Sequence, residues 1–588
     1  MLQSIAVILG ISINTSRASH PITVDGLFDD WSEISVASYD PTGDNLLEDF
    51  AELSITNDNN FLFLNVSFHD GEHLIQDSNE IRLYIDTDNN SETGTPIHGI
   101  GAELEWCFGC RQGFYHTTGG SDTIYQNDLT LRTPPTITSE RFEIAIGRNT
   151  SVMSLYGIQT VDTVSVLFKE SDPNGDILPN QTGGIQYVFD TTSVDPPDPI
   201  SLWRYNEGDI RIVTYNTYRS GLLDEERQPR FERILTALDP DIIAFQEQYE
   251  DGTLDSLMSD WLPDKPWYSS GLYRGQLIVL SKYPILQEDT LISSERIHAV
   301  LLDTEQELGS ELLIINNHLN CCTNDSSRQA DADEFVQVMR EWRQGDGPFP
   351  LADGTPFVHL GDFNLVGYRQ QLKTLRDGDI SDEATHGGED FPLDWDGTSL
   401  TDLFSRHTHI RMGYTWRDDA SSFSPGKLDY ILYTDSVIDS GKHFVLNTLA
   451  MDEVDLLSYG LRVEDTQLAS DHLPRVMDVA VIHPVGTYNE VGTEMPVRFE
   501  LYSAYPNPFN PVTTLKYDLP ARADVTLTIY DILGRQIRTL VQGVEEPGYK
   551  SVVWDGTNDL GQQVSAGVYL YRIEASDFTQ TRKMLLIK

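Results

Sequence analysis

Six places in this chain set a polar side chain of a hydrolytic type against the end of a short apolar run. Ile210 to Tyr215 ends at Asn216, Ile242 to Phe245 at Gln246-Glu247, Leu312 to Ile315 at Asn316-Asn317-His318, and Phe357 to Leu360 at Gly361-Asp362-Phe363-Asn364. Two others have the opposite sense: Asp429 stands before Tyr430 to Tyr433, and Ser470-Asp471-His472 before Val476 to Val481. An aspartate that orients or deprotonates water, beside an amide that holds an oxyanion, suits hydrolysis of a phosphate ester. Asp362 and Asn364, at i and i+2 of an extended segment, are expected to face one small volume. The plainer reading of the same residues is an Asx turn closing a strand. His359, in mid-strand, reads as a packed residue and not as a catalyst.

For these groups to meet, the strands after residue 428 must run antiparallel to the earlier ones. That excludes a TIM barrel or a purely parallel sheet, whose functional residues gather at C-terminal strand ends. It calls for mixed sheets covered by amphipathic helices. Two such helices are predicted, with apolar faces Phe231, Ile234, Leu235, Leu238 and Phe335, Val338, Met339, Trp342. This grammar occupies residues 208–483. Before it, residues 20–193 alternate short β-type runs (Phe61 to Phe68, Ile81 to Ile85, Phe142 to Ile146, Val164 to Phe168) with Asn, Asp and Gly clusters, the pattern of an antiparallel β-sandwich. Within it Asp86, Asp88 and Asn90 alternate either as calcium oxygen ligands or as an acidic solvated turn. A Pro-rich linker, 194–207, separates the two regions, and removal of 20–193 is expected to leave hydrolysis intact. A second linker, 484–497, precedes a small all-β module at 498–588, immunoglobulin-like in its periodicity.

At 588 residues the chain needs several cores, and its 92 acidic against 40 basic residues give a net charge of −52. Such a balance excludes a general nucleic-acid coat protein and requires that a polyanionic substrate be met by metal ions or a local basic patch. Residues 1–18 carry an apolar run followed by Ser16-Arg17-Ala18, the form of a signal peptide, although no Lys or Arg precedes the run. No later run approaches the length of a membrane span. The four cysteines form two local pairs, Cys107/Cys110 and Cys321/Cys322, which in an exported chain read as short-loop disulfides and lack the further ligands of a zinc site.

Taken in order, Asn216, Glu247, His318, Gly361-Asp362-Phe363-Asn364, Leu428-Asp429-Tyr430 and Ser470-Asp471-His472 resemble the motif series of the endonuclease/exonuclease/phosphatase, or DNase I-like, superfamily. The resemblance implies a four-layer α/β/β/α sandwich and a hydrolase dependent on Mg²⁺ or Mn²⁺. It implies Glu247 and Asp471 as metal ligands with Asn216 orienting the metal site, Asp362 positioning the nucleophilic water, and Asn364 holding a phosphate oxygen. Asp429 is then expected to pair with His472, fixing its tautomer and favouring an imidazolium that contacts the phosphate, with His318 a donor to the leaving group or phosphate. Gln248-Tyr249, in place of the common small residue after Gln-Glu, and Cys321-Cys322 beside the His318 loop depart from the pattern and bear on substrate.

Val24 to Trp31 and Tyr84 to Asn90 resemble family-9-like carbohydrate-binding domains, which implies a glycan ligand. Tyr505 to Pro511, Ile529-Tyr530-Asp531, Trp554-Asp555-Gly556, Gly567-Val568-Tyr569 and the final Lys583 to Lys588 resemble the sorting domain of type IX secretion cargo, which implies outer-membrane secretion machinery as a partner. The expected whole is a secreted or cell-surface, divalent-metal-dependent phosphodiester hydrolase, most simply an extracellular nuclease. The alternatives are a phosphatase or phospholipase C acting on phosphorylated lipids or sugars, and a non-catalytic glycan-binding surface protein.

Overall fold

The computed structural model describes residues 21–481 and 499–587, apart from 44–47, 78, 154–160, 172–174, 193, 207, 251–253, 275, 502–503, 505–508, 510, 512, 533, 546–547, 555, 559–561 and 577. The expected signal peptide and the linker at 484–497 lie outside the described residues. The chain divides into two compact units, 1–483 and 484–588.

The central region of the first unit is built on two six-stranded sheets. Its strands are β1 (Ile210–Asn216), β2 (Ile242–Gln246), β3 (Tyr268–Ser269), β4 (Ile278–Ser281), β5 (Ile285–Thr290), β6 (Ile297–Leu302), β7 (Leu312–His318), β8 (Phe357–Asp362), β9 (Thr401–Asp402), β10 (Asp429–Tyr433), β11 (Ile438–Val445) and β12 (Arg475–Val481). One sheet has the order β3-β4-β2-β1-β12-β11 and the other β5-β6-β7-β8-β10-β9. Each contains one parallel pair, β1 with β2 and β7 with β8, while the late strands β12 and β10 run antiparallel to β1 and β8. The strand-sense argument from sequence therefore holds.

Every β8 residue is buried, because both of its faces are covered. Val358 and Leu360 pack with Ile212, Ala244, Ile314 and Met477 in a core shared by the two sheets. Phe357 packs on the other face with α2 (Asp325–Arg343) through Phe335, Val336, Met339 and Trp342. Val338, expected on that apolar face, sits only at its margin, and Val336 takes the central place. On the other sheet, α1 (Gln228–Leu238) buries Phe231, Ile234, Leu235 and Leu238 against Val213, Tyr215 and Phe245. His359 is fully buried between the Phe335 and Phe363 rings, as a packed residue.

The described residues of 21–192 form a four-stranded and a seven-stranded antiparallel sheet, with a two-stranded one of Thr95–Ile97 and Ile100–Ala102, and Phe50, Leu64, Leu83, Trp106, Ile144 and Phe168 are among the side chains of their shared core. This sandwich is not an appendage. Val24 bridges Met412, and Ile22, Val24 and Trp31 share a core with Met412, Tyr414 and Leu473. Ile137 enters the helix-side core of the second sheet, and Thr136 Oγ1 donates to the Leu365 carbonyl (2.8 Å). The stretch expected to be a stiff, extended linker is fastened as well: Arg406 and Arg411 donate to the carbonyls of Asp198 and Asp195, and Leu202 is buried. These contacts bear on the expectation that removing 20–193 leaves hydrolysis nearly intact, because removal would uncover Leu365 and Leu473, next to Asn364 and His472.

The described strands of the second unit pair antiparallel, in one sheet of Glu500–Leu501, Thr513–Leu519 and Gly548–Trp554, and another of Gln536–Glu545, Ala523–Asp531, Gly567–Ala575 and Phe578–Leu586. Trp554, Tyr571 and Leu527 lie in its core.

Candidate active site

The local chain explains why polar groups gather at these strand ends. In the parallel β7/β8 pair Asn317 stands opposite Gly361 and His318 opposite Asp362. Gly361 has φ +131°, and a Cβ there would lie 2.2 Å from the Asn317 carbonyl oxygen, so only glycine lets the strands close at this point. In the antiparallel β8/β10 pair Asp362 stands opposite Asp429. Left-handed backbone clusters around the same place, at Tyr218, Arg219, Ser220, Glu247 and Asn364, and strain of this kind persists only where the surroundings impose it.

Asp362 is the hub. Asn216 donates from Nδ2 to Asp362 Oδ2 (3.0 Å) and to Glu247 Oε1 (3.3 Å). His318 Nε2 lies 3.5 Å from Asp362 Oδ2 and 4.0 Å from Glu247 Oε1, and His472 Nε2 lies 3.7 Å from Asp362 Oδ2. The expected pair is present: His472 Nδ1 meets Asp429 Oδ2 at 2.8 Å. Burial opposes charge on His472, but Asp429 and then Asp362 outweigh it and hold the imidazole up at about 10, as an imidazolium. Burial raises the carboxyl of Asp362 above the usual carboxylate range, and the His472 charge pulls against that rise. His318 goes the other way: burial, then the positive charges of Arg296, His472 and Arg274, push it to about 3. Its Nδ1 faces Gln276 Oε1 (3.0 Å), and its Nε2 faces the carboxylates of Asp362 and Glu247.

Asn364 sits differently from expectation. β8 ends at Asp362, and Asn364 is left-handed (φ 50°), so extended alternation does not bring them together. They are joined by an Asx turn, with Asn364 N donating to Asp362 Oδ1 (3.0 Å), and the Asn364 amide is engaged with the Leu319 carbonyl (3.1 Å). Asp471 Oδ2 accepts from Trp416 Nε1 (3.1 Å), and its Oδ1 lies 3.5 Å from Ser470 Oγ, which donates to the Asn216 carbonyl (2.8 Å).

Several supporting residues have no motif to announce them. Thr415 Oγ1 accepts from the backbone N–H of both Leu428 and Asp429, and Arg475 donates to the Asp429 carbonyl (2.6 Å). Gln276 had a readable signal, since it precedes Leu277 to Leu280 just as Asp429 precedes its own strand.

The donors fit a hard divalent cation. Glu247 Oε1 and Asp362 Oδ2 both lie within 4.0 Å of His318 Nε2, and the Asn216 amide donates to both carboxylates. Mg²⁺ takes one or two carboxylates and keeps several of its waters, which matches a half-buried Glu247 at an open edge.

Residues 213–472 match the Endonuclease/Exonuclease/phosphatase family model, and residues 510–578 match the FlgD Ig-like domain model. No curated protein sequence matches the chain. Among solved structures it is similar to the human Nocturnin catalytic domain with bound sulfate, at 17% identity over 47% of this chain and 96% of that one, with a TM-score of 0.31. It is also similar to the 3′ phosphatase NExo from Neisseria bound to a product DNA hairpin, at 17% identity over 46% of this chain and 98% of that one (TM-score 0.29). A third is the beta toxin of Staphylococcus aureus with bound magnesium ions, at 13% identity over 46% and 99% (TM-score 0.28). The matched stretch spans every residue of the cluster from Asn216 to His472, and residues 213–472 are a hydrolase domain of the metal-dependent phosphoesterase type.

Proposed function

We propose that this chain is an exported phosphodiester hydrolase that acts on nucleic acid with a divalent cation. The observation that carries the substrate class is the rim beside Glu247. Tyr218 and Tyr249 are 38% and 49% exposed there. The Arg219 guanidinium lies 5.1 Å over the Tyr218 ring, and Arg219 and Arg296 both act electrostatically on the Tyr249 hydroxyl. Aromatic faces stack on bases while arginines meet phosphates, and in a chain of net charge −52 such a local basic patch, with the cation, is what can admit a polyanion.

In this reading the phosphate enters between Asn216, His318 and His472. His472, charged and held by Asp429, contacts a non-bridging oxygen and offsets the charge that builds up there. Asp362, fixed by the Asn216 amide and the Asn364 backbone, orients the attacking water and accepts its proton. Glu247 would hold the cation, with Asn216 orienting that carboxylate and Asp471 beside it. When bound, the cation neutralises phosphate charge and supports the departing oxygen.

Export is supported by the apolar segment at 1–18 and by the pairing of Cys107 with Cys110 and of Cys321 with Cys322. The C-terminal module would serve sorting by secretion machinery, and the N-terminal sandwich would meet glycans at the cell surface.

A substrate panel tests the reading: duplex DNA, single-stranded RNA, sphingomyelin, inositol phosphates and bis-nitrophenyl phosphate, each with Mg²⁺, Mn²⁺ or Ca²⁺. Nucleic acid should be cleaved best, and Asp362→Asn should lower turnover by ~10²–10⁴-fold. The double variant Tyr218→Ala/Tyr249→Ala should raise KM for nucleic acid about tenfold or more while sparing bis-nitrophenyl phosphate. If no phosphoester is cleaved even with Mn²⁺, the glycan-binding surface protein becomes the better account.

A further inference from the structure

The N-terminal sandwich contains a second group of carboxylates, remote in sequence from the hydrolytic site. Asp86 ends the strand Ile81–Asp86, which pairs antiparallel with Leu104–Cys107, Ile85 standing opposite Leu104. One step further along that register, Asp86 stands opposite Glu103. Like charges directly opposed across a strand pair repel, and they repel more strongly out of water. Both residues are buried, at 3% and 4% exposure. Asp88 joins them from the following turn, and one carboxylate oxygen from each of the three lies within 4.8 Å of the others.

The fold supplies these carboxylates with only part of the hydrogen bonds they can accept. Glu103 Oε2 accepts from Thr87 N (2.8 Å) and Thr87 Oγ1 (3.1 Å), and Asp86 Oδ2 accepts from Gly101 N (3.4 Å). Asp88 Oδ1 accepts from Asn90 N (2.9 Å), and both Asp88 oxygens accept from Thr93 Oγ1 (3.0 Å each). The remaining oxygens, Asp86 Oδ1 and Glu103 Oε1, are buried with no hydrogen-bond partner. Among the described residues no Lys, Arg or His forms an ion pair with any of the three. A buried charge left in this state is expensive, and the usual remedy is a partner cation. Burial also raises the carboxyls of Asp86 and Glu103 above their ordinary range, as expected where no counter-charge is present.

We propose that Asp86, Asp88 and Glu103 form a structural Ca²⁺ site that joins the strand end at 86 to the strand start at 104. All donors are hard oxygens, and three carboxylates with backbone and water oxygens make up the six to eight ligands calcium takes. Glu103, far from the Asp-rich turn in sequence, replaces Asn90 of the sequence reading. Asn90 instead caps its own turn, with Oδ1 accepting from Glu92 N (3.2 Å). The site is independent of the hydrolytic cation, because none of its residues belongs to the cluster around Asp362.

The full chain tests this by thermal unfolding in 1 mM EGTA and in 10 mM CaCl₂. Wild type should gain about 5 °C in its midpoint with Ca²⁺. Glu103→Gln removes one of two opposed charges, so in EGTA it should melt at or above wild type, and with Ca²⁺ it should lose at least half of the gain. Asp88→Asn, at an exposed position, should lose the gain likewise, and it decides the matter if Glu103→Gln does not fold. Both variants should keep wild-type phosphodiester turnover in Mg²⁺. Absence of a Ca²⁺ shift in wild type, or a full shift retained by the variants that fold, overturns the proposal.

Discussion

Two buried carboxylate groups in one compact unit are neutralised in different ways. In the central domain Asp429 and Asp362 face His472, which the pair holds as an imidazolium, and the Asn216 amide covers the Asp362 side. In the sandwich Asp86 and Glu103 have backbone and hydroxyl donors, no cationic side chain among the described residues, and two buried oxygens without a hydrogen-bond partner. A protein meets a buried charge either from its own sequence or from solution. The first choice fixes a reactive geometry permanently, whereas the second makes order conditional on an ion.

The largest expected effect tests whether the two groups live in separable domains. Deleting residues 20–193 removes Ile137 from the helix-side core and Ile22, Val24 and Trp31 from the Met412, Tyr414 and Leu473 core. We expect no soluble enzyme, or one without turnover, measured by expression and hydrolysis of bis-nitrophenyl phosphate. A truncated chain that is folded and fully active would show that the interface carries no weight.

Next in size, His472→Ala turns the self-neutralised group into one resembling the sandwich trio. It leaves Asp429 and Asp362 buried without their cation, and breaking such a pair costs about 3–5 kcal/mol as well as catalysis. Turnover should fall at least ~10²-fold. Adding Asp429→Asn should recover much of the stability and none of the activity. Equal melting of the single and double variants would mean that Asp429 carries no charge in the fold.

The sequence made the strand senses, the two amphipathic helices and the convergence of Asn216, Glu247, His318, Asp362, Asp429 and His472 legible, because each rests on local periodicity and on placement at a strand end. What it hid depends on tertiary approach. The left-handed turn at Asn364 looks the same as an extended segment in one dimension. The fusion of sandwich to hydrolase rests on isolated residues such as Val24, Thr136 and Ile137, which have no periodicity between them. Glu103 could not be joined to Asp86 without the register between their strands.

A smaller effect concerns Gln276, which is a positioning residue. Gln276→Leu removes the acceptor for His318 Nδ1 and frees the ring to change tautomer. Loss of such an orienting contact costs on the order of tenfold. It should appear in kcat with KM little changed, because the ring keeps its place and loses only its orientation. A change confined to KM would assign Gln276 to substrate binding instead.

The smallest effect concerns a third treatment of buried ionisable groups, in which the group is kept uncharged. His298 is fully buried on β6, stacked 3.9 Å from the Tyr273 ring, with neither ring nitrogen hydrogen-bonded. Glu288 is the nearest carboxylate, its Oε2 3.8 Å away and engaged with Gly271 N. Burial alone pushes His298 down to about 3. An unfolded imidazole takes up its proton near pH 6.5, so between about 6.5 and 3 the unfolded chain binds one proton that the folded chain refuses. Its contribution is therefore intact above pH 6.5 and is lost as pH falls toward 3. His359 and His407, also pushed to about 3 by burial, add to the same acid limb. His298→Leu keeps the volume and removes the proton, so stability at pH 7.5 should hold or rise slightly. Below pH 6 the slope of stability against pH should shrink by up to one proton, about 1.4 kcal/mol per pH unit. Denaturant unfolding at several pH values reads that slope, and an unchanged acid limb would mean that His298 is already charged in the fold and that Glu288, despite its distance, is its partner.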